Sequence, residues 1–281
     1  MTSNPAVASE PLPRADLLAL ARRLELAEAL AGVEFAATLR RTGVFPEATS
    51  LAVGGGYGTF AGATSPLTQA FGLGLHGSIP ATEIDRLGAF FHGRGAVSAI
   101  ELSAPADASL ERALVARGYR VVERSDVLTC RSAEAPEPVP APAGVVIRRA
   151  GSGELADLAR VVEAGFADDP TEGGGLSRDI EAMFRMLTAT VFVAEAHGKA
   201  VGGGILLIHR RVGILCTAAI LPEARGRGIH QALLRERLAA ARALKCESVM
   251  IVAQAGTASH RNAGRAGFTV VYPRAKYRLD P

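Results

Sequence analysis

The 281-residue chain has no tryptophan, only three cysteines, and aromatic side chains at just 5% of positions. Cys130, Cys216 and Cys246 are odd in number, far apart and outside any metal-ligand spacing. They predict reduced thiols in a cytoplasmic protein, not a disulfide framework or a metal site. The longest apolar run, VGILCTAAIL over 212–221, is about half of the ~20 residues that a membrane span needs. It reads as a strand, and no membrane partner is expected. The opening MTSNPAVASEPLPR has no apolar core and no cleavage-like pattern, so it does not read as a signal peptide. Net charge is only +3 and no basic tract stands out, so nothing suggests nucleic acid as a partner. The scarcity of aromatics argues against a large stacking pocket.

What is present is a globular composition: 48% hydrophobic and 21% charged residues, enough for a substantial core in one large or two ordinary domains. RSAEAPEPVPAPAG, over 131–144, is rich in proline and alanine and lacks periodicity. Its prolines disfavour helix and internal strand, which predicts a stiff linker between domains at 1–130 and 145–281. In the second half, strands alternate with helices. A strand over 144–150 leads to a helix over 152–166, a glycine-rich loop and a helix near 178–187. A hairpin over 190–211 and the apolar strand 212–221 follow. A long helix to about Leu244, a strand over 248–253, a short helix over 257–266 and a final strand or strand pair complete it. This order predicts an α/β fold, a mixed sheet with helices on both faces. The first half has a related rhythm: a helix over 13–41, neighbouring strands at 50–62 and 67–75, then helix, strand and helix to about Arg117. VGGGYGTFAG, over 53–62, reads as a close-packed hairpin, with a binding loop as the alternative. RALVARGYRVV (112–122) and RNAGRAGFTVV (261–271) both fit Arg-x5-Gly-(Tyr/Phe)-x-Val-Val at the same helix-to-strand junction. The repeated order of elements suggests an ancient duplication.

The most specific stretch is PEARGRGIHQALL, 222–234, between the apolar strand and the long helix. A helix start has unpaired backbone N–H groups and a partial positive charge. Gly226 and Gly228 would let a ligand approach those groups closely, and Arg225 and Arg227 add charge, which together describes an anion site, most naturally for a pyrophosphate. The plainer reading is a tight turn with solvated arginines. Two arguments weigh against it: the macrodipole disfavours arginines at a helix start, and the turn lies at the carboxyl edge of a strand. A Walker loop is absent, and a dinucleotide fingerprint fails because Gln231 stands where its third glycine would be.

Apolar strand, Pro-Glu-x-Arg-Gly-x-Gly-Ile and long helix together resemble the acetyl-CoA loop of the GNAT N-acetyltransferase superfamily, and SHRNAGRAGF (259–268) is similar to that family's closing motif. The resemblance extends over roughly 145–281, with the first half as a degenerate copy, so the chain looks like a tandem GNAT protein. It implies that backbone groups of Ala218, Ala219 and Ile220 pair with the pantetheine arm. It also implies that the N–H groups from Gly226 through Arg227, Gly228, Ile229 and His230 to Gln231 hold the pyrophosphate. Ser259 and Asn262 would flank the thioester end or the arm. The sequence departs from the family at three places. His230 stands where the motif usually ends in Gly or Ala, and its ring is expected to point into solvent. Ala263 takes the position of a tyrosine carried by many members, and SVMIVA lacks the acid that some carry there.

The reaction so implied is attack by an amine, of a small molecule or a peptide and most simply the former, on the acetyl-CoA thioester. No catalytic base is assigned. His230, His260 and Ser259 are weak candidates, and Asp168, Asp169 and Glu172 lie in the glycine-rich loop; a surface polar residue or helix cap is the plainer role for each. Cys216, mid-strand in an apolar run, reads as a core thiol. The first half, with Glu83 and Asp85 in the first turn of its helix, is not expected to hold CoA. Its expected role is to cover the second half and shape the acceptor pocket. Two other readings stand beside the enzyme: a CoA-binding regulatory protein without catalysis, and an interaction scaffold with no CoA site. Composition leaves open whether the protein is a monomer or a homodimer.

Overall fold

A computed structural model describes residues 12–166 and 175–280. The acidic candidates Asp168, Asp169 and Glu172 lie outside the described residues. Helix α1 (Arg14–Arg41) ends in Arg40 and Arg41 and buries Leu24, Ala27, Ala31, Phe35 and Leu39 at three- and four-residue spacing. The glycine-rich stretch within 50–62 is a hairpin: β1 (Thr49–Val53) and β2 (Gly56–Phe60) turn through Gly54 and Gly55, both at positive φ, as a two-residue hairpin loop requires. Strand β3 (Gln69–Phe71), α2 (Ala81–His92), β4 (Ser98–Ser103), α3 (Ala108–Ala116) and β5 (Arg120–Arg131) complete the first half. The second half runs β6 (Val145–Arg149), α4 (Leu155–Phe166), α5 (Ser177–Phe184), β7 (Ala189–Ala196), β8 (Lys199–His209) and β9 (Val212–Ile220). It continues with α6 (Ile229–Ala243), β10 (Ser248–Ala253), α7 (Ala258–Arg265) and a single final strand, β11 (Thr269–Leu279).

The sheet differs from one sheet per half. All eleven strands form one mixed sheet in the order β1-β2-β3-β4-β11-β5-β10-β9-β8-β7-β6. Each half places its last strand beside the other half's penultimate one. Strand β5 runs antiparallel to β10, from Arg131 opposite Ser248 to Asp126 opposite Ala253, and β11 runs antiparallel to both β4 and β5. This exchange leaves neither central edge unpaired. The two helix-to-strand junctions match in detail. Gly118 and Gly267 have φ of +85° and +87°, and each donates its N–H three residues back, to Val115 and Gly264. Tyr119 and Phe268 each donate five residues back, to Leu114 and Ala263, and bury their rings.

Alternation along the strands divides the core. Val191 and Val193 of β7 face α1, α4 and α5, whereas Phe192 and Ala194 face α6 and α7. On that second face α2 and α3 build a separate cluster over β1 to β4. The proline-rich segment after β5 lies against α6, where Arg242 donates to the carbonyls of Ser132 and Ala135 and Arg235 to that of Glu137.

Candidate functional site

Strands β9 and β10 run parallel over only three residue pairs, Val212 with Ser248 to Ile214 with Met250, and then part. The cause lies in β9. Opposite the single residue Gly204 it carries two, Thr217 and Ala218, with Thr217 at φ +48°. Such a bulge bends its strand out of the ladder. Beyond it the sheet opens into a cleft of about 1150 Å³, floored by Ala218, Ala219 and Ile220 on one side and by Val252 and Ala253 on the other.

The glycine turn closes one end of this cleft. Gly226 (φ +74°) and Gly228 (φ +81°) are left-handed, a conformation that a side chain would strain. A Cβ at Gly226 would meet nothing within 4 Å, and one at Gly228 only Pro142, at 3.8 Å. The first turn of α6 has no acidic residue, and its first helical bond is from Ala232 to Gly228, at 3.1 Å. The N–H groups of Gly228 to Gln231 therefore have no acceptor within the helix. Ala218, Ala219, Ile220, Arg225, Gly226, Gly228, Ile229, His230, Gln231, Ser259 and Asn262 all line the cleft. Among the described residues, the buried side-chain Oε1 of Gln231 has no partner.

Two expectations about charge change. Arg225 lines the cleft but fastens the turn, donating to the carbonyls of Gly165 (2.9 Å) and Ile220 (3.2 Å). Arg227 is exposed and does not line the cleft. His230 does not point into solvent: its Nδ1 lies 3.3 Å from Asn262 Nδ2, and burial, reinforced by the buried cation Arg237, lowers its pKa to about 4. An imidazole so depressed is neutral at pH 7 and a weak base. His260 bonds Asp126 on β5 (3.1 Å) and does not line the cleft. Ala263 is fully buried, so no hydroxyl occupies the position of the family's tyrosine. Burial pushes the Cys216 thiol up to about 11, which makes it a poor nucleophile.

No spacing along the chain points to one cleft residue, Glu123. It comes from β5, in the first half of the chain, and reaches the cleft only because the strands exchange. Arg265 and Thr257, one helical repeat or less from the Ser259–Asn262 motif, also line it and were within reach of helical spacing.

Residues 162–268 match the acetyltransferase (GNAT) family. Among solved structures, the chain is similar to a GCN5-related N-acetyltransferase from Kribbella flavida, with 15% identity, a TM-score of 0.64, and coverage of 89% of this chain and 95% of that one. A GCN5-related N-acetyltransferase from Sphaerobacter thermophilus is 18% identical, with a TM-score of 0.56 over 96% of this chain and 94% of that one. A tandem GNAT protein from the clavulanic acid biosynthesis pathway is 14% identical, with a TM-score of 0.54 over 71% and 68%. At these identities the likeness is one of fold. No curated protein matches the sequence. Among the described residues, no helix is long and apolar enough to cross a membrane.

Proposed function

We propose that the chain is an acetyl-CoA-dependent N-acetyltransferase with one cofactor site, in a catalytic second half (145–281), covered by a degenerate GNAT-like first half (1–130). The observation that carries this reading is the pairing of a splayed sheet edge with a left-handed glycine turn. On this reading the β10-facing backbone of Ala218 to Ile220 pairs with the pantetheine amides, and the four N–H groups that lack an acceptor within α6 meet the pyrophosphate at that end of the cleft. The open space at Gly226 and Gly228 fits such a ligand.

The amine nitrogen attacks the thioester carbonyl carbon, a C–N bond forms, and the C–S bond breaks with its electron pair on sulfur. A thiolate with a pKa near ~8.5 is already a fair leaving group at neutral pH. Holding amine and thioester in register supplies on the order of 7–11 kcal/mol, more than the ~10²–10⁴-fold that one general acid contributes. Ser259, exposed on the first turn of α7 and lining the cleft, is the hydroxyl at hand for the sulfur.

A second reading, a CoA-binding protein without turnover, draws on the buried Ala263 and on His230 held neutral. One experiment addresses both. Calorimetric titration with acetyl-CoA, CoA and ATP is run on the wild type and on Ser259→Glu, followed by assay of thiol release with amine acceptors. Glutamate is favourable in a first helical turn, so this variant places a negative charge in the cleft without the strain that any side chain at Gly228 would bring. Acetyl-CoA should bind more tightly than ATP and lose at least about tenfold in the variant. Binding with no thiol release from any amine would favour the silent reading. No binding would end both.

A further inference from the structure

We infer that the two halves together build the acceptor pocket, and that it takes a primary amine with a compact, ring-sized apolar body whose ammonium end meets Glu28 and Gln69. This deepens the acetyltransferase reading and rests on it.

The bulge in β9 turns Cys216 and Thr217 to the same side, and both line a second cavity, of about 170 Å³, directly along the strand from the Ala218–Ile220 edge of the cleft. Its walls come from both halves. Ala31 and Phe35 of α1 and Phe71 of β3 stand opposite Met183 of α5 and Ile214 of β9. A dry apolar cavity of ~150 Å³ is known to hold a benzene ring, so the volume suits one ring or a short branched chain. The polar groups in it are few. Gln69 is 8% exposed, and its Oε1 has no partner. Glu28 lines the same cavity and pairs with Arg274 at 2.6 Å.

Charge around this end is unbalanced toward the negative. Arg274 is shared by Glu25 and Glu28, and Lys276 by Glu101 (3.1 Å) and Glu123 (3.7 Å), so four carboxyls face two cations. Burial raises the pKa of Glu25 and of Glu101, as expected where carboxylates outnumber their counterions. One further cation would be favoured here. The acids also connect the two voids: Glu28 lines the small cavity, and Glu123, from β5, lines the cofactor cleft. An amine seated with its body against Ala31 and Phe71 brings its nitrogen to the carboxylate side. It arrives as an ammonium and gives one proton to solvent through these carboxylates. The freed lone pair forms the C–N bond, and a second proton leaves the nitrogen as the thiolate departs, so that an N-substituted acetamide and CoA thiol result.

The probes are 2-phenylethylamine, 2-aminoethanol and phenylalanine, measured by thiol release with acetyl-CoA, and 2-phenylethylamine alone by calorimetry. We expect kcat/KM for 2-phenylethylamine to exceed that of either other amine by at least about tenfold, since one lacks the apolar body and the other carries a carboxylate. Ala31→Leu, which fills the cavity, should raise its KM about tenfold while leaving acetyl-CoA affinity unchanged, and Gln69→Leu should weaken amine binding in the calorimeter. Because Glu28→Gln touches the Arg274 cluster, its thermal midpoint is compared with that of Ala31→Leu before its activity is read. Unchanged KM in Ala31→Leu, or equal use of the three amines by a wild type that binds acetyl-CoA, would overturn the pocket and leave the acetyltransferase reading intact. A wild type that fails to bind acetyl-CoA overturns both.

Discussion

The two halves enter their helices after a central strand in opposite ways. Before α6 the chain passes through Gly226 and Gly228, stays exposed, and presents no acid in the first turn. Before α2 the equivalent stretch folds inward. Leu73 and Leu75 are buried, Gly74 donates to the carbonyl of Gly54 on the first hairpin, and Arg22 of α1 holds the carbonyl of Leu75. That helix starts at Pro80 and carries Glu83 in its first turn. Both ends have the N–H groups that every helix start has. Left-handed glycines stand before both helices, Gly72, Gly74 and Gly77 before α2 as well as Gly226 and Gly228 before α6. The difference lies in an exposed turn with no acid after it against a buried loop followed by one.

If the first half is a cover shared with the second and not an appended copy, damage at the shared joint should unfold both. The joint is Arg274, on β11, whose guanidinium is 1% exposed and bonds Glu25 and Glu28 of α1, while Tyr272 donates to Glu25. Removing one partner of a buried ion cluster strands the other charge, at a cost of about 3–5 kcal/mol. Arg274→Ala should therefore lose that much in urea denaturation, in one transition seen equally by probes on either half. Two separated transitions, with the second half unaffected, would show the halves to be independent.

A smaller effect tests a second latch between them. Glu34 of α1 accepts from Thr188 N–H (3.0 Å) and Thr188 Oγ1 (2.5 Å), and its other partner is His209 Nε2, at 3.0 Å. Burial works to raise its pKa, but the bonds from His209 and Thr188 outweigh that and lower it to about 2 from an ordinary 4.5. A carboxyl depressed on folding contributes its stability above pH 4.5 and loses it as pH falls toward 2, here on the order of 2–3 kcal/mol. Wild type and Glu34→Gln should differ by about that amount at pH 7 and converge in denaturation midpoints only as pH falls to about 2. A difference independent of pH would place the contribution in packing.

How much of this was legible in the sequence follows from how local each signal is. The glycine turn, the helices and the β7–β8 hairpin are set by residues within a few positions of each other, and they stand where the pattern put them. The β1–β2 hairpin was legible too, since Gly54-Gly55 is a local turn signal between two short apolar stretches. The exchange of β5 and β11 was not: both mix charged and apolar residues without strict alternation, and nothing local in either says which half it pairs with. Glu123 in the cleft and Glu28 and Gln69 in the cavity follow from that exchange and from the lie of α1, so no spacing along the chain points to them. His230 turned inward because Asn262, a whole strand and helix later, stands opposite it.

The smallest expected effect bears directly on the opening contrast. On the one-site reading, acid alone would not keep acetyl-CoA from the first half, because its loop is closed. Leu73 packs with Val53 and Phe60 of the hairpin, and Leu75 packs with α1. Glu83 is partly exposed and pairs with Arg86 at 2.9 Å, so Glu83→Ala should cost less than about 1 kcal/mol, from a weak i,i+3 pair and a favourable helix-start charge. Placed in the Ser259→Glu background, where the cleft of the second half is blocked, it should restore no acetyl-CoA binding in the calorimeter. Recovery of binding would mean that the first half kept a working cradle and that one carboxylate had shut it. The closed loop would then be a consequence of the acid, and the difference between the halves would reduce to charge.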